Sequence, residues 1–202
     1  MLVKHFVENT FTATGKRLFN LVINGEQVLT DFDIFATARA MSKAVVESFL
    51  VTPDENGIVT LQFVQGSADQ PTVSGIELLP TDCDDEDCDE LPGTVVSGSS
   101  GGTTGNIAIN SGGPAVGSFV ADTDFAGGRN GSVSRFVDIS SVTNPVPEQV
   151  YLTPRVGTGV GSFGYFIPNL IPGATYNVRL HFAEGFFTTS GSRVFNVALN
   201  GN

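Results

Sequence analysis

Residues 17 to 25 read Arg-Leu-Phe-Asn-Leu-Val-Ile-Asn-Gly and set Phe19, Leu21 and Ile23 on one face at a period of two. Asn24-Gly25 then supplies the positive-φ positions of a tight turn, so the pattern predicts a hairpin returning through Val28 and Leu29. Strands are also predicted over Val45 to Val51, Ile58 to Val64 and Val73 to Leu79, separated by turn chemistry at Pro53 to Gly57 and Gly66 to Pro71. The apolar residues of Asp31 to Ala44 fit neither period cleanly, and that stretch is read as a loop. Farther on, Asn106 to Asn110 predicts a strand and Ser111 to Pro114 a turn, and a Gly- and polar-rich passage leads to Gln149-Val-Tyr-Leu152. Ser162 to Pro168 predicts a strand, Asn169 to Thr175 a Pro-Gly turn, and Tyr176 to Phe182 the next strand. The expected class is all-β.

One pattern occurs twice. The run His5 to Gly25 (HFVENTFTATGKRLFNLVING) recurs 176 positions later as His181 to Gly201 (HFAEGFFTTSGSRVFNVALNG), with 11 of 21 positions identical and no gap. A repeat of this kind means that residues 26 to 80 are what would follow the second copy. Between the copies, Thr81 to about Thr104 changes to TDCDDEDCDELPGTVVSGSSGGTT, an acidic run and then a Ser/Gly-rich stretch too poor in apolar surface to fold alone. The expected organisation is therefore two half-domains, 1 to 80 and 104 to 202, joined by a linker over 81 to 103. The linker would span up to about 80 Å fully extended.

Composition narrows the function. The net charge of −11 is concentrated, because seven of the 21 acidic residues lie between Asp82 and Glu90. Ten scattered Lys and Arg give no basic stripe, which argues against nucleic-acid binding. No segment reaches the roughly 18 consecutive apolar residues of a membrane-spanning helix, and Met1 to Thr10 lacks the apolar core of an export signal.

Several segments together are recognisable: AINSGGPAVGSFVADTDF (108 to 125), VYLTPRVGTGVGSFGYFIPNLIPGATYNVRLHFAEGFF (150 to 187), RVFNVALNGN (193 to 202), NGEQVLTDFDIFATA (24 to 38) and QGSADQPTVSGIELLP (65 to 80). They resemble a malectin-type carbohydrate-binding domain. Taken in family order, 104 to 202 followed by 27 to 80, they come close to one complete domain. The resemblance implies an antiparallel, jelly-roll-like β-sandwich whose loops at one end bind a short glucan. In such a site sugar C–H faces stack on exposed rings while a carboxylate or amide holds the hydroxyls. Carried over residue by residue, the paired aromatics fall on Phe186 and Phe187, the acidic residue on Asp69, and the first copy offers Thr10-Phe11 in place of the pair. Two departures stand out: Val156 replaces an aromatic, and the tyrosine expected between 122 and 134 is absent, leaving Phe125 nearby.

At period two one of Phe186 and Phe187 is expected to point into the core, and an Asp in a predicted turn, such as Asp69, is more often a turn former than a ligand. His5 and His181 precede an inward Phe on a strand, with no nucleophile signature nearby, and read as structural or solvent-facing. Glu8 and Glu184 recur with the repeat but lack the second carboxyl group that glycoside hydrolysis needs, so no catalysis is expected. Cys83 and Cys88 enclose four acidic residues. A small-loop disulfide of an exported protein, a thiolate metal site, loose Ca²⁺ binding through Asp82, Asp84, Asp85 and Asp87, and a solvated charge run all remain open. Asn130-Gly131-Ser132 is a glycosylation sequon. No cofactor is otherwise expected.

Two classes survive: a structural or adhesive repeat of an extracellular or cell-surface array with neighbouring copies of itself as partners, and a glucan-binding module of a secreted protein. Either half alone would expose a sheet edge and an apolar face. The halves could complete each other within the chain or between chains, and either way one of the two HFxE hairpins is surplus. The expectation is a window cut from a tandem array.

Overall fold

The computed structural model describes residues 21–23, 26–29, 34–40, 42–65, 70–81, 105–159, 162–183 and 195–199. Fourteen strands are described: β1 (Leu21–Ile23), β2 (Glu26–Leu29), β3 (Val45–Val51), β4 (Val59–Gln65), β5 (Thr72–Val73), β6 (Gly75–Pro80), β7 (Ile107–Asn110), β8 (Val120–Ala121), β9 (Phe125–Ala126), β10 (Arg129–Asn130), β11 (Arg155–Val156), β12 (Phe163–Ile167), β13 (Tyr176–Phe182) and β14 (Phe195–Leu199). With them come two single-turn helices, α1 (Ile34–Ala38) and α2 (Glu148–Leu152). The strands form a six-stranded sheet in the order β2-β1-β14-β4-β12-β9, a five-stranded sheet β3-β13-β6-β7-β8, and a small sheet β10-β11-β5.

Helix α1 corrects the loop expected over 31 to 44. Ile34, Phe35 and Ala38 are buried at the spacing i, i+1, i+4 of a helical face. One turn is too short to show a 3.6-residue period among its neighbours. The strand expected over Val73 to Leu79 is likewise split, at Ser74, into β5 and β6, which belong to different sheets. The turn before β4 forms as its residues require: the Asp54 carboxylate accepts the backbone N–H groups of Asn56 and Ile58, and Gly57 takes φ +72°.

The two large sheets face each other across an apolar core, because period-two faces from both are withdrawn from water. From the five-stranded sheet come Tyr176, Val178, Leu180 and Phe182 of β13, and from the six-stranded sheet Val59, Leu61 and Phe63 of β4 with Phe163, Tyr165 and Ile167 of β12. Phe63 stacks on Phe163 with centroids 4.7 Å apart and meets Phe182 of the opposite sheet edge-on at 6.4 Å. Such aromatic geometries add about 0.5–1.5 kcal/mol beyond the area they bury.

Both segments of the chain contribute to each layer. β13 pairs antiparallel with β3 and β6, β6 pairs with β7, and β4 lies between β12 and β14. Of the two routes of completion, these strands use the one within the chain. The first-copy strand sits outside the second: β1 pairs in parallel with β14, Leu21 against Val197 and Val22 against Ala198.

The outer face of the five-stranded sheet carries a further layer built by the segment around α2. Val150 and Tyr151 are buried there, and Arg179 of β13 donates to the carbonyls of Thr143 and Asn144. Gly75 permits the close approach, since a Cβ at that position would stand 2.6 Å from Cγ1 of Val150.

Candidate functional site

The strand registers define one end of the sandwich. Phe163 and Phe195 both lie opposite the last residues of β4, Phe63 and Gln65 respectively, so the end of β4 and the starts of β12 and β14 stand at the same end. The β9-β10 turn joins them, because Gly127 lies against Ser162 and Phe163. The loops are cross-tied. Gln70 donates its side-chain N–H to the carbonyl of Gly159 at 3.2 Å, and the N–H of Gly157 reaches the carbonyl of Pro71 at 3.0 Å. On the other side, the Ala183 N–H donates to the Ser74 hydroxyl and the Ser74 N–H to the carbonyl of His181.

At the centre of this end is Arg155, carried on β11 between β10 and β5. Its buried guanidinium forms an ion pair with Asp122 and donates to the carbonyl of Gly127 at 2.7 Å and to the side-chain oxygen of Asn130 at 3.3 Å. Tyr165 donates its hydroxyl to the other Asp122 oxygen at 2.8 Å. Burial, and then the charge of Asp122, push the Tyr165 phenol well above its ordinary range, so it stays a neutral donor. A buried charge is tolerated only when it is paired and hydrogen-bonded throughout, and this one is. The Arg155 guanidinium also lies 3.4 Å from the ring centroid of Phe125, which meets Tyr165 edge-on and is still 44% exposed. One face of Phe125 is therefore held by a fixed cation while much of the ring remains open to solvent.

A second polar constellation is sealed. His181, fully buried on the outer face of β13, lies 3.0 Å from the Tyr151 hydroxyl through Nδ1 and 2.7 Å from Glu77 through Nε2, and Arg179 pairs with the same carboxylate at 2.8 Å. Of the two readings for His181, structural or solvent-facing, this is the structural one. The Tyr-His-Glu order resembles a proton relay, but Phe119 and Tyr151 pack edge-on against the imidazole. Burial by itself would raise the Glu77 carboxyl, yet the His181 hydrogen bond and the charges of His181 and Arg179 outweigh it and hold the group below its ordinary value. The Tyr151 hydroxyl is pushed upward by burial.

Asp69, Phe186, Phe187 and Phe11 lie outside the described residues, as do Cys83, Cys88, Asp82, Asp84, Asp85 and Asp87. The described neighbours of Asp69 and of Phe186 and Phe187 do converge: Gln65, Gln70 and Ala183 all stand at the end that carries Phe125. Val156, where the resemblance led one to expect an aromatic, is buried between Arg129 of β10 and Thr72 of β5. Sequence reasoning missed the Arg155-Asp122-Tyr165 support beneath Phe125. The available signal was an isolated Arg in an otherwise apolar and Gly-rich stretch. Among the described residues no group of three or more His, Cys, Asp or Glu could hold a metal ion, and no helix is long and apolar enough to cross a membrane.

The family model of the malectin domain matches residues 1–76 and 106–202. The chain belongs to the malectin domain family. Comparison with curated proteins and with solved structures gave no match. The two matched stretches are the segments whose strands interleave in this malectin domain, and the acidic run from Asp82 to Glu90 falls in the gap between them.

Proposed function

We propose that the chain is a non-catalytic carbohydrate-binding module of an extracellular or cell-surface protein, taking a short oligosaccharide at the end of the sandwich that carries Phe125. The observation that carries this reading is the half-exposed Phe125 ring, fixed from beneath by a paired, buried arginine at the end where β4 stops short of Asp69 and β13 stops short of Phe186 and Phe187. A rigid ring loses little conformational freedom when a sugar face stacks on it. Phe125, Phe186 and Phe187 would supply stacking, and Asp69 and Gln70 hydrogen bonds to hydroxyls. The reading requires no cofactor. Calcium at Asp82, Asp84, Asp85 and Asp87 is checked by repeating each titration in the presence of a chelator.

A second reading, a structural unit of an array of neighbouring copies, is favoured by the pairing of the two repeat copies, β1 and β14, in one sheet. Screening the full chain against an array of short glucans and other oligosaccharides separates the two. Saturable binding to one glycan class supports the module, and no binding across the array leaves the structural unit.

A further inference from the structure

β1 and β14 are the same strand of the repeat, Phe-Asn-Leu-Val-Ile at 19 to 23 and Phe-Asn-Val-Ala-Leu at 195 to 199, each followed by Asn-Gly. Their register keeps that equivalence, because Leu21 lies beside Val197 and Val22 beside Ala198, residues related by the repeat offset of 176. Only β14 occupies the position next to β4, with Val197 opposite Phe63 and Ala198 opposite Gln62. β1 lies one strand farther out, in the same direction and in step.

Two features make this arrangement exchangeable. Parallel pairing is slightly weaker per residue than antiparallel pairing, and the β1-β14 contact is parallel within a sheet whose other contacts are antiparallel. If β14 left, β1 would need neither to reverse nor to slip: a lateral move of one strand spacing, about 4.8 Å, would set Leu21 opposite Phe63 and Val22 opposite Gln62. The hairpin from β1 to β2 would travel with it, and every contact in that sheet would then be antiparallel.

We infer that β1 and β14 are interchangeable occupants of the position beside β4, so that β1 can close the sandwich in place of β14 and leave β14 to fill the same position in a second copy of the chain. Exchange of an identical element is a low-cost route to association, and a head-to-tail exchange of this kind extends to further copies unless it closes. The identity of the partner rests on the array reading, whereas the exchange of strands within the chain does not.

Paired cysteines test it in the full chain carrying Cys83→Ser and Cys88→Ser. Residues directly opposite in antiparallel strands have Cα atoms about 4.5–5.5 Å apart, within disulfide range. Ala198→Cys with Gln62→Cys reports β14 beside β4, and Val22→Cys with Gln62→Cys reports β1 there. The expected result is loss of free thiol in both variants, within single chains for the second and partly between chains for the first, seen as covalent multimers on a non-reducing gel. A Val22/Gln62 variant that keeps both thiols while the Ala198/Gln62 variant cross-links fully overturns the exchange. Cross-linking in both, but only within single chains, overturns donation to a second copy and with it the array reading, and it leaves carbohydrate binding untouched.

Discussion

The Nε2 of His181 lies 2.7 Å from the carboxylate of Glu77, and this contact joins the first residue of a strand-ending His-Phe pair to a neighbouring strand of the same sheet. Glu77 accepts a hydrogen bond from the Nε2–H of His181, and the Tyr151 hydroxyl lies 3.0 Å from Nδ1 on the other side of the ring. The folded carboxyl titrates below its ordinary value of 4.5, so its contribution to stability is present above that value and is lost as pH falls through the folded value. Acid unfolding followed by circular dichroism should show this loss below about pH 4.5. Glu77→Gln should flatten the acid limb, and Glu77→Ala, which strands a buried imidazole and a largely buried guanidinium, should cost about 3 kcal/mol.

Gly75 and Val150 make a size-matched pair. A Cβ at Gly75 would stand 2.6 Å from Val150, so Gly75→Ala should destabilise by about 1–3 kcal/mol. Combining it with Val150→Ala should recover part of that loss, and a double-mutant cycle in urea reads the coupling. Strict additivity of the two changes would mean that the α2 layer does not press on β6 at this point.

Much of the sandwich was legible along the chain because its strands are half-buried and alternate cleanly: β4 hides Val59, Leu61 and Phe63 in turn, and β13 hides Tyr176, Val178, Leu180 and Phe182. Helix α1 was not legible, since a single turn has no period to detect. Nor was the outer layer, because His181 and Glu77 sit on the face of the sheet that period two assigns to solvent, and only the fold brings Tyr151 onto His181 and Val150 against Gly75. The support beneath Phe125 was hidden for the same reason: Asp122, Arg155 and Tyr165 are distant in sequence and meet only through the β9-β12 and β10-β11 pairings.

Cys83 and Cys88 should be joined in protein from an oxidising compartment, as expected of an isolated even pair in a polar stretch. Intact mass before and after reduction checks this, and free thiols in freshly prepared protein would contradict it.

Arg155 should matter to binding only through the ring it holds. Arg155→Met removes the cation, leaves Asp122 buried without its ion pair, and should lower stability by about 3 kcal/mol while loosening Phe125. Thermal unfolding reads the first effect and glucan affinity the second.

The central claim is a sugar site at the Phe125 end, and calorimetric titration of short glucans into the full chain, its Phe125→Ala variant and its Phe187→Ala variant tests it most directly. The account predicts saturable binding to the parent chain, weakened by about 0.5–1.5 kcal/mol in each variant with the fold intact. Equal affinity in all three, or no heat of binding to the parent, would contradict it.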